Sequence, residues 1–179
     1  MSIDTIDNLN QNMLLFFTST SRSADTILSE QSKGARENKA QVTESLHYIK
    51  ESGYQILDHL ERGNLTDFGL MLDKHWEMKK RMSSKISNPR FDRIYEIAKE
   101  NGALGGKITG AGGGGFFVFY TEDGHFTLRK AMKECGLREM RYHFDFEGCK
   151  VLVNLMDGGY GRNHDGLSDH VVSLGWEAR

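Results

Sequence analysis

Five of the six residues from Gly110 to Gly115 are glycine, and an unbroken apolar run, Phe116 to Tyr120, follows them. Glycine adopts positive φ angles that other residues avoid, and its amides can approach a ligand with no side chain in between. Ordering so many glycines costs conformational entropy, so a run this dense is a poor choice for a simple connector. The composition predicts an anion-binding loop, with a tight crossing of two backbones as the alternative.

Two common glycine motifs do not fit this stretch. From Gly110 the glycines satisfy the spacing G-x-G-x-x-G, but a dinucleotide-binding loop needs a helix after it, whereas Phe116 to Tyr120 favours a strand. A Walker-type phosphate loop needs Lys-Ser or Lys-Thr after its glycines, and here Lys107 precedes them. We therefore expect the loop to join two strands, which leaves a phosphate site of another kind.

The ordered string from Ile86 to Phe116 resembles the third signature motif, with its leading helix, of the GHMP small-molecule kinases. That family includes galactokinase, homoserine kinase, mevalonate kinase and phosphomevalonate kinase. The chain is most similar to the bacterial D-glycero-D-manno-heptose 7-phosphate kinases, and the similarity extends over most of Leu14 to Leu152. Further matching segments are Thr18 to Ala24, His75-Trp76 and Leu137-Arg-Glu.

This resemblance implies that the glycine loop lies beside the phosphates of ATP. The cofactor-binding residues that it implies are Lys107, Thr109, Gly110, Ala111, Gly112, Gly113, Gly114 and Gly115. Nothing in the sequence matches the N-terminal domain of the family, which carries a second glycine- and serine-rich loop and the catalytic Asp. We therefore assign no catalytic residue, and we expect ATP and Mg²⁺ to be held mainly by that missing half.

The segment from Thr18 to Ser23 places five hydroxyl groups around Arg22, ahead of a predicted helix. Hydroxyls, free amides at a helix N-terminus and a guanidinium suit a phosphate or carboxylate, although a helix cap with a surface arginine is the alternative. The heptose kinases carry a similar Thr-Gly-x-x-Arg segment, and this resemblance assigns Thr18, Arg22 and Ser23 to substrate binding at the sugar phosphate. Ser19 stands where those kinases have glycine.

Apolar spacing predicts one strand, an array of helices, and then further strands around one more helix. Helices are predicted from about Ser23, from Lys39 to Leu60, from about Leu65 to Lys79, and from Asn88-Pro89 onward. A separate last helix is predicted to end at Gly136. The predicted strands are Met13 to Phe17, Lys107 to Thr109, Phe116 to Tyr120, Glu139 to Phe146 and Lys150 to Leu155. This order indicates an α+β fold, an antiparallel sheet with helices on one face, similar to the ferredoxin-like C-terminal domain of the GHMP kinases. We predict that domain over residues 1–155 and a turn-rich tail over 156–179.

Histidines outside the loop are not interpreted as catalytic. His75 and Trp76 are predicted to be a core or boundary pair with satisfied hydrogen bonds, since both rings are amphipathic. The His and Asp residues between His164 and His170 match no established ligand pattern, so no metal ligand is predicted.

Composition bounds the partners and the compartment. The 23 basic and 25 acidic residues give a net charge of −2 without a Lys/Arg block, which favours neither nucleic acid nor an anionic membrane. Cys135 and Cys149 lack metal-ligand spacing and are interpreted as free thiols of a reducing compartment. Met1 to Asn12 lacks the apolar centre of a signal peptide, so a cytoplasmic protein is expected.

The first functional hypothesis is the C-terminal half of an ATP-dependent kinase that moves a phosphoryl group onto the anomeric hydroxyl of a heptose 7-phosphate. Glycine amides, with Lys107 and Arg22 as cations, would position and neutralise the phosphates. Such a half is expected to be inactive alone, to bind an N-terminal kinase domain, and to be a possible homo-oligomer. The alternative is a non-catalytic binding or assembly module. A dinucleotide-dependent oxidoreductase is disfavoured by the loop's context.

Overall fold

The computed structural model describes residues 1–20 and 24–148. Its helices are α1 (Ile3–Asn12), α2 (Ala24–Arg36), α3 (Ala40–Arg62), α4 (Leu65–Lys80), α5 (Pro89–Glu100) and α6 (His125–Glu134). Its strands are β1 (Met13–Phe17), β2 (Gly105–Ile108), β3 (Phe116–Tyr120) and β4 (Arg138–Met140). All of these lie in one unit, Met1–Phe144. In the second unit, Asp145–Arg179, residues 145–148 are described, and there Asp145 Oδ1 accepts a hydrogen bond from Glu147 N at 2.8 Å.

The four strands form one antiparallel sheet in the order β2-β3-β1-β4. β1 pairs with β3 and β4, and β2 pairs with β3. Helices α2 to α5 lie between β1 and β2 in the chain, and α6 lies between β3 and β4. This is the βαββαβ order of a ferredoxin-like domain with extra helices in its first connection. The predicted α+β class is confirmed.

One face of the sheet is buried under α5 and α6. Leu14 pairs with Phe119 and Phe16 pairs with Phe117, so these four side chains point to the same side of the pleat. Phe91 of α5 meets Phe117 edge-on, with ring centroids 5.7 Å apart. Fully buried side chains of α6 complete this main core. The apolar run of β3 thus forms the centre of the domain.

Helix α4 runs beside β2, the edge strand, and contributes to two hydrophobic clusters. Near its C-terminal end, Trp76 is fully buried in the main core. Earlier in the helix, Leu65, Phe68 and Leu72 join a smaller cluster with Tyr120 of β3. A single helix therefore fixes the edge of the sheet from two sides.

Two glycines let α4 lie directly against β2. A Cβ atom at Gly105 would fall 2.1 Å from the backbone oxygen of Gly69, and one at Gly69 would fall 2.5 Å from the ring of Tyr120. Separations this short are overlaps, so any larger residue would push the helix and the strand apart.

Tyr95 ties α4, α5 and β2 together through its hydroxyl group. The hydroxyl donates to Asp73 Oδ1 at 2.7 Å and accepts from Gly106 N at 3.1 Å. Lys99 pairs with Asp73 Oδ2 at 3.2 Å and donates to Leu104 O at 2.7 Å. Burial, followed by the hydrogen bond to Asp73, raises the pKa of Tyr95 well above its usual range. The hydroxyl therefore stays protonated and remains a donor.

The predicted helix boundaries are confirmed where the sequence carries caps. Asn88 Oδ1 accepts from Phe91 N at 3.1 Å, with Pro89 in the first turn of α5. Gly63 ends α3 with a left-handed φ of 72°.

Among the described helices, none is long and apolar enough to cross a membrane.

The sequence does not predict α1, because the segment before β1 is polar. Ser2 caps this helix, its Oγ accepting from Thr5 N at 3.1 Å. Leu9 is 4% exposed and packs in the smaller cluster. Thr5 is buried as well, and Leu9 is the only buried apolar residue of this described helix, which leaves too weak a periodic signal to be recognised.

The strand predicted from Glu139 to Phe146 is too long. β4 covers Arg138–Met140 and pairs with the three residues from Leu15 to Phe17 of β1. The predicted strand from Lys150 to Leu155 lies outside the described residues, and the domain boundary at residue 155 stays a prediction.

We expect Gly105→Ala to lower the free energy of unfolding by about 1 to 3 kcal/mol, because the added methyl overlaps the backbone of α4. Gly53→Ala on α3 is the matched control, since a Cβ there meets nothing within 4 Å, and it should stabilise the protein by up to ~1 kcal/mol. Urea unfolding followed by circular dichroism measures both changes. Equal effects of the two substitutions would contradict the close contact of α4 with β2.

Candidate phosphate-binding site

The glycine loop, Thr109 to Gly115, joins β2 to β3, two antiparallel neighbours. Thr109 N donates to Phe116 O at 2.8 Å, so the ladder continues one step beyond β2 before the loop opens. The expectation that the loop joins two strands is confirmed.

Three backbone hydrogen bonds hold the second half of the loop. Gly113 N donates to Ile86 O at 2.8 Å, and Gly115 N donates to Thr20 O at 2.7 Å. Thr18 N donates in turn to Gly115 O at 2.9 Å. The loop is thereby fixed between the segment after β1 and the residues that precede α5.

The glycines are needed for two different reasons. A Cβ at Gly114 would fall 2.5 Å from Thr20 O, and one at Gly112 would fall 3.0 Å from Ile86 O, so two backbones do touch at these positions. Gly110 meets nothing within 4 Å but has a φ of 75°, a conformation that side-chain-bearing residues rarely adopt. Tight crossing therefore explains Gly112 and Gly114, whereas Gly110 and Gly115 are explained by their positive φ angles.

Backbone donors remain available in the first half of the loop. Within the described residues, the amides of Gly110, Ala111 and Gly112 donate to no backbone acceptor. Gly110 is exposed and Ala111 is half-buried. Successive free amides in a glycine-rich turn attract anions.

Two lysines meet this loop from different elements. Lys79, in the last turn of α4, donates from Nζ to Gly110 O. Lys107 lies on β2, paired with Val118, two residues before the loop begins. Both lysine side chains are half-buried. His75 lies one helical turn before Lys79, and its Nδ1 is buried without a hydrogen-bond partner among the described residues.

Burial lowers the pKa of each of these groups, and neighbouring lysine charges lower two of them further. The pKa of Lys79 is lowered to about 8 by burial and then by the charge of Lys107. Burial lowers the pKa of Lys107 as well. Burial, followed by the charges of Lys107 and Lys79, lowers the pKa of His75 to about 4. At pH 7 His75 is neutral, whereas Lys79 is mainly protonated.

Nearby carboxylates are engaged elsewhere. Asp73 pairs with Lys99, and Glu77 pairs with Lys80 at 2.7 Å, both on α4. In the part of the chain that the structure describes, neither Lys79 nor Lys107 forms a salt bridge. The site thus combines free amides with two half-buried cations, which suits an anion of more than one negative charge.

Of the residues predicted to bind the sugar phosphate, Thr18 alone lies in the described part of the chain. Thr18 is fully buried, and its hydroxyl lies 3.1 Å from both Thr20 O and Gly115 O, so it supports the loop from below. Ser19 adopts a φ of 56°, the left-handed conformation that its glycine counterpart would take without strain. Arg22 and Ser23 lie outside the described residues, and their assignment stays a prediction.

Sequence reasoning missed Lys79 and the position of His75 beside it. Trp76 is a core residue, as predicted, but His75 is not part of either hydrophobic cluster. The expectation of satisfied hydrogen bonds is wrong, because Trp76 Nε1 and His75 Nδ1 are buried without a partner among the described residues. The available signal was the spacing of four residues between His75 and Lys79, which places both on one face of a helix. Among the described residues, no group of three His, Cys, Asp or Glu side chains could hold a metal ion. The residues between His164 and His170 lie outside that part.

Residues 56–136 match the family described as GHMP kinases C terminal. The chain is 33% identical over 143 residues to D-glycero-alpha-D-manno-heptose 7-phosphate kinase of Campylobacter jejuni, covering 79% of this chain and 42% of that protein. It is 36% identical over 75 residues to mevalonate kinase of Methanocaldococcus jannaschii, covering 42% of this chain and 22% of that protein.

The fold is also that of solved kinases. L. major mevalonate kinase, solved with R-mevalonate, superposes with a TM-score of 0.64 at 19% identity, over 71% of this chain and 40% of that one. The fold and the site together thus define an α+β domain in which a glycine loop joins two antiparallel strands. The chain contains a domain of the family described as GHMP kinases C terminal. It spans less than half the length of the relatives it matches.

We expect stability to fall more steeply in acid for the wild type than for His75→Gln. The pKa of His75 is lowered from 6.5 to about 4, so the unfolded chain binds a proton first and stability is lost as pH falls through this window. The difference should be on the order of 1 kcal/mol once solvent screening is allowed for. Urea unfolding between pH 7 and pH 4 checks it, with His47→Gln on exposed α3 as the control. Identical pH dependences of His75→Gln and wild type would contradict the burial of this ring.

Proposed function

We propose that this chain contributes the phosphate-adjacent loop and part of the sugar site of an ATP-dependent kinase that phosphorylates the anomeric hydroxyl of a heptose 7-phosphate. The observation that carries the proposal is a glycine loop with free amides that Lys79 contacts at Gly110 O and that Lys107 precedes on β2. Both cations are half-buried and unmatched by carboxylates within the described residues. The family match gives this arrangement its context.

ATP would supply the phosphoryl group that is transferred. Phosphoryl transfer depends on positioning and on neutralising charge, rather than on covalent chemistry by the protein. Amides of Gly110, Ala111 and Gly112 would orient the polyphosphate, and the two lysines would offset its charge. Because the loop lies between Thr20 and Ile86, its shape is set before a ligand arrives. Such preorganisation lowers the cost of binding.

A second segment of protein has to complete the site. The Campylobacter jejuni kinase is matched over 42% of its length, so the rest of such an enzyme would come from elsewhere. We assign no general base among the described residues, and Mg²⁺ would be held mainly by that second segment. The heptose 7-phosphate substrate is supported by the 33% identity to this kinase.

We expect no turnover from this chain alone and ADP release once it is mixed with the N-terminal part of the Campylobacter jejuni kinase that it does not match. Release should require both ATP and heptose 7-phosphate in a coupled assay. Gly113→Val should abolish it, because a β-branched residue cannot adopt the φ of 73° at this position. Gly53→Ala is the silent glycine control.

Two results would contradict the proposal. Turnover by the chain alone, at rates within about a hundredfold of the median enzyme rate of ~10 s⁻¹, would show that no second segment is needed. Full activity of Gly113→Val in the mixture would show that the loop is not used. Binding of ATP without turnover in any mixture would favour the non-catalytic binding module.

Arg22 is proposed to bind the 7-phosphate of the sugar. In the active mixture, Arg22→Ala should raise the KM for heptose 7-phosphate by roughly 10- to 100-fold, the ~1.5 to 3 kcal/mol of a charged hydrogen bond, and leave that for ATP unchanged. Arg36→Ala on exposed α2 is the matched control. Loss of ATP affinity instead would exchange the two ends of the site.

A further inference from the structure

Lys79 and Lys107 approach the glycine loop from two elements that are held together rigidly. Lys79 belongs to α4 and Lys107 to β2, and these elements touch through Gly69 and Gly105. The network around Tyr95 adds a second connection between them. The backbone positions that carry the two lysines are therefore held by the core rather than by the loop.

We infer that Lys79 and Lys107 together form the binding site for a terminal phosphate dianion at the start of the glycine loop. The inference rests on the proposed function and deepens it, because it names the residues that recognise the charge of the ligand. A phosphate dianion is shared by the end of a polyphosphate and by a sugar phosphate.

Charge matching favours phosphate over a carboxylate. Two half-buried ammonium groups lack a counter-charge in the described part of the chain, and a phosphate monoester carries about −1.5 to −2 at neutral pH. A carboxylate, with a single negative charge, would leave one lysine uncompensated. Charge-assisted hydrogen bonds from lysine and from backbone amides are also the bonds that phosphate oxygens accept.

The surrounding charges leave these cations available. On α4, Asp73 is bound to Tyr95 and Lys99, and Glu77 is bound to Lys80. His75 is neutral near pH 7, so it adds no further positive charge. Lys79 is held by Gly110 O, a neutral carbonyl that satisfies a donor without cancelling its charge. A bound dianion would supply that compensation and would favour the protonated form of Lys79.

Lysine side-chain NMR of the ¹³C-lysine-labelled chain tests the inference. The pKa of Lys79, lowered to about 8 in the free protein, should rise by at least one unit on saturation with ATP or with heptose 7-phosphate. Lys79→Met assigns the resonance. Sodium chloride at matched ionic strength separates phosphate binding from general screening.

Binding constants from the same titrations give the second readout. Lys79→Met and Lys107→Met should each weaken binding by about tenfold or more. Lys74→Met, which removes a charge from an exposed position of α4, should stay within about twofold. A Lys79 pKa that neither ligand changes, or lysine variants that bind both ligands as tightly as wild type, would overturn the inference.

The two ligands distinguish the source of the phosphate. A response to ATP alone assigns the lysines to the nucleotide end, and a response to heptose 7-phosphate alone assigns them to the sugar end. The outcome is separable from that of the proposed kinase activity, which is tested by Gly113→Val in the mixed enzyme. Turnover with unchanged lysine pKa values would remove this inference and leave the function. A raised Lys79 pKa without turnover would support this inference and contradict the proposed kinase activity.

Discussion

The contact of α4 with β2 is the constraint on which the rest of the structure depends. It requires glycine at positions 69 and 105, since a Cβ at either would overlap a neighbouring element. The close approach has two consequences at opposite ends of the helix. It brings Phe68 against Tyr120, with ring centroids 5.5 Å apart, and it carries Lys79 to the start of the glycine loop. Fold and candidate site therefore share one steric origin.

Much of the fold could be predicted because its signals are local. Asn88-Pro89, Gly63 and the apolar run of β3 determine where elements begin and end without reference to the rest of the chain. The weaker results have physical reasons. α1 is stabilised by tertiary burial of Leu9 rather than by its own pattern, and β4 is limited by how far β1 extends beside it. Such contacts between distant segments produce no periodic pattern in the sequence.

The site was predictable only in part for a similar reason. A run of glycines indicates an unusual backbone conformation, so the loop could be recognised from composition. Lys79 is separated from Gly110 by 31 positions, and in the sequence it is one of several lysines on an amphipathic helix. Its significance comes from burial and from Lys107, which the sequence does not reveal. The Thr18 hydroxyl bonds to the loop's backbone at Gly115 O, a contact that the sequence does not reveal, and its assignment to the sugar phosphate stays a prediction.

The hydrogen bond from Lys79 to Gly110 O also determines which way one peptide group faces. In a trans peptide the carbonyl and the following amide point in opposite directions. Because the Gly110 carbonyl is held toward α4, the Ala111 amide is directed away from that helix. Glycine at position 110 would otherwise allow this peptide to rotate, and a rotated peptide would present an oxygen to an anion. The hydrogen bond from Lys79 thus fixes the orientation of the peptide group between Gly110 and Ala111.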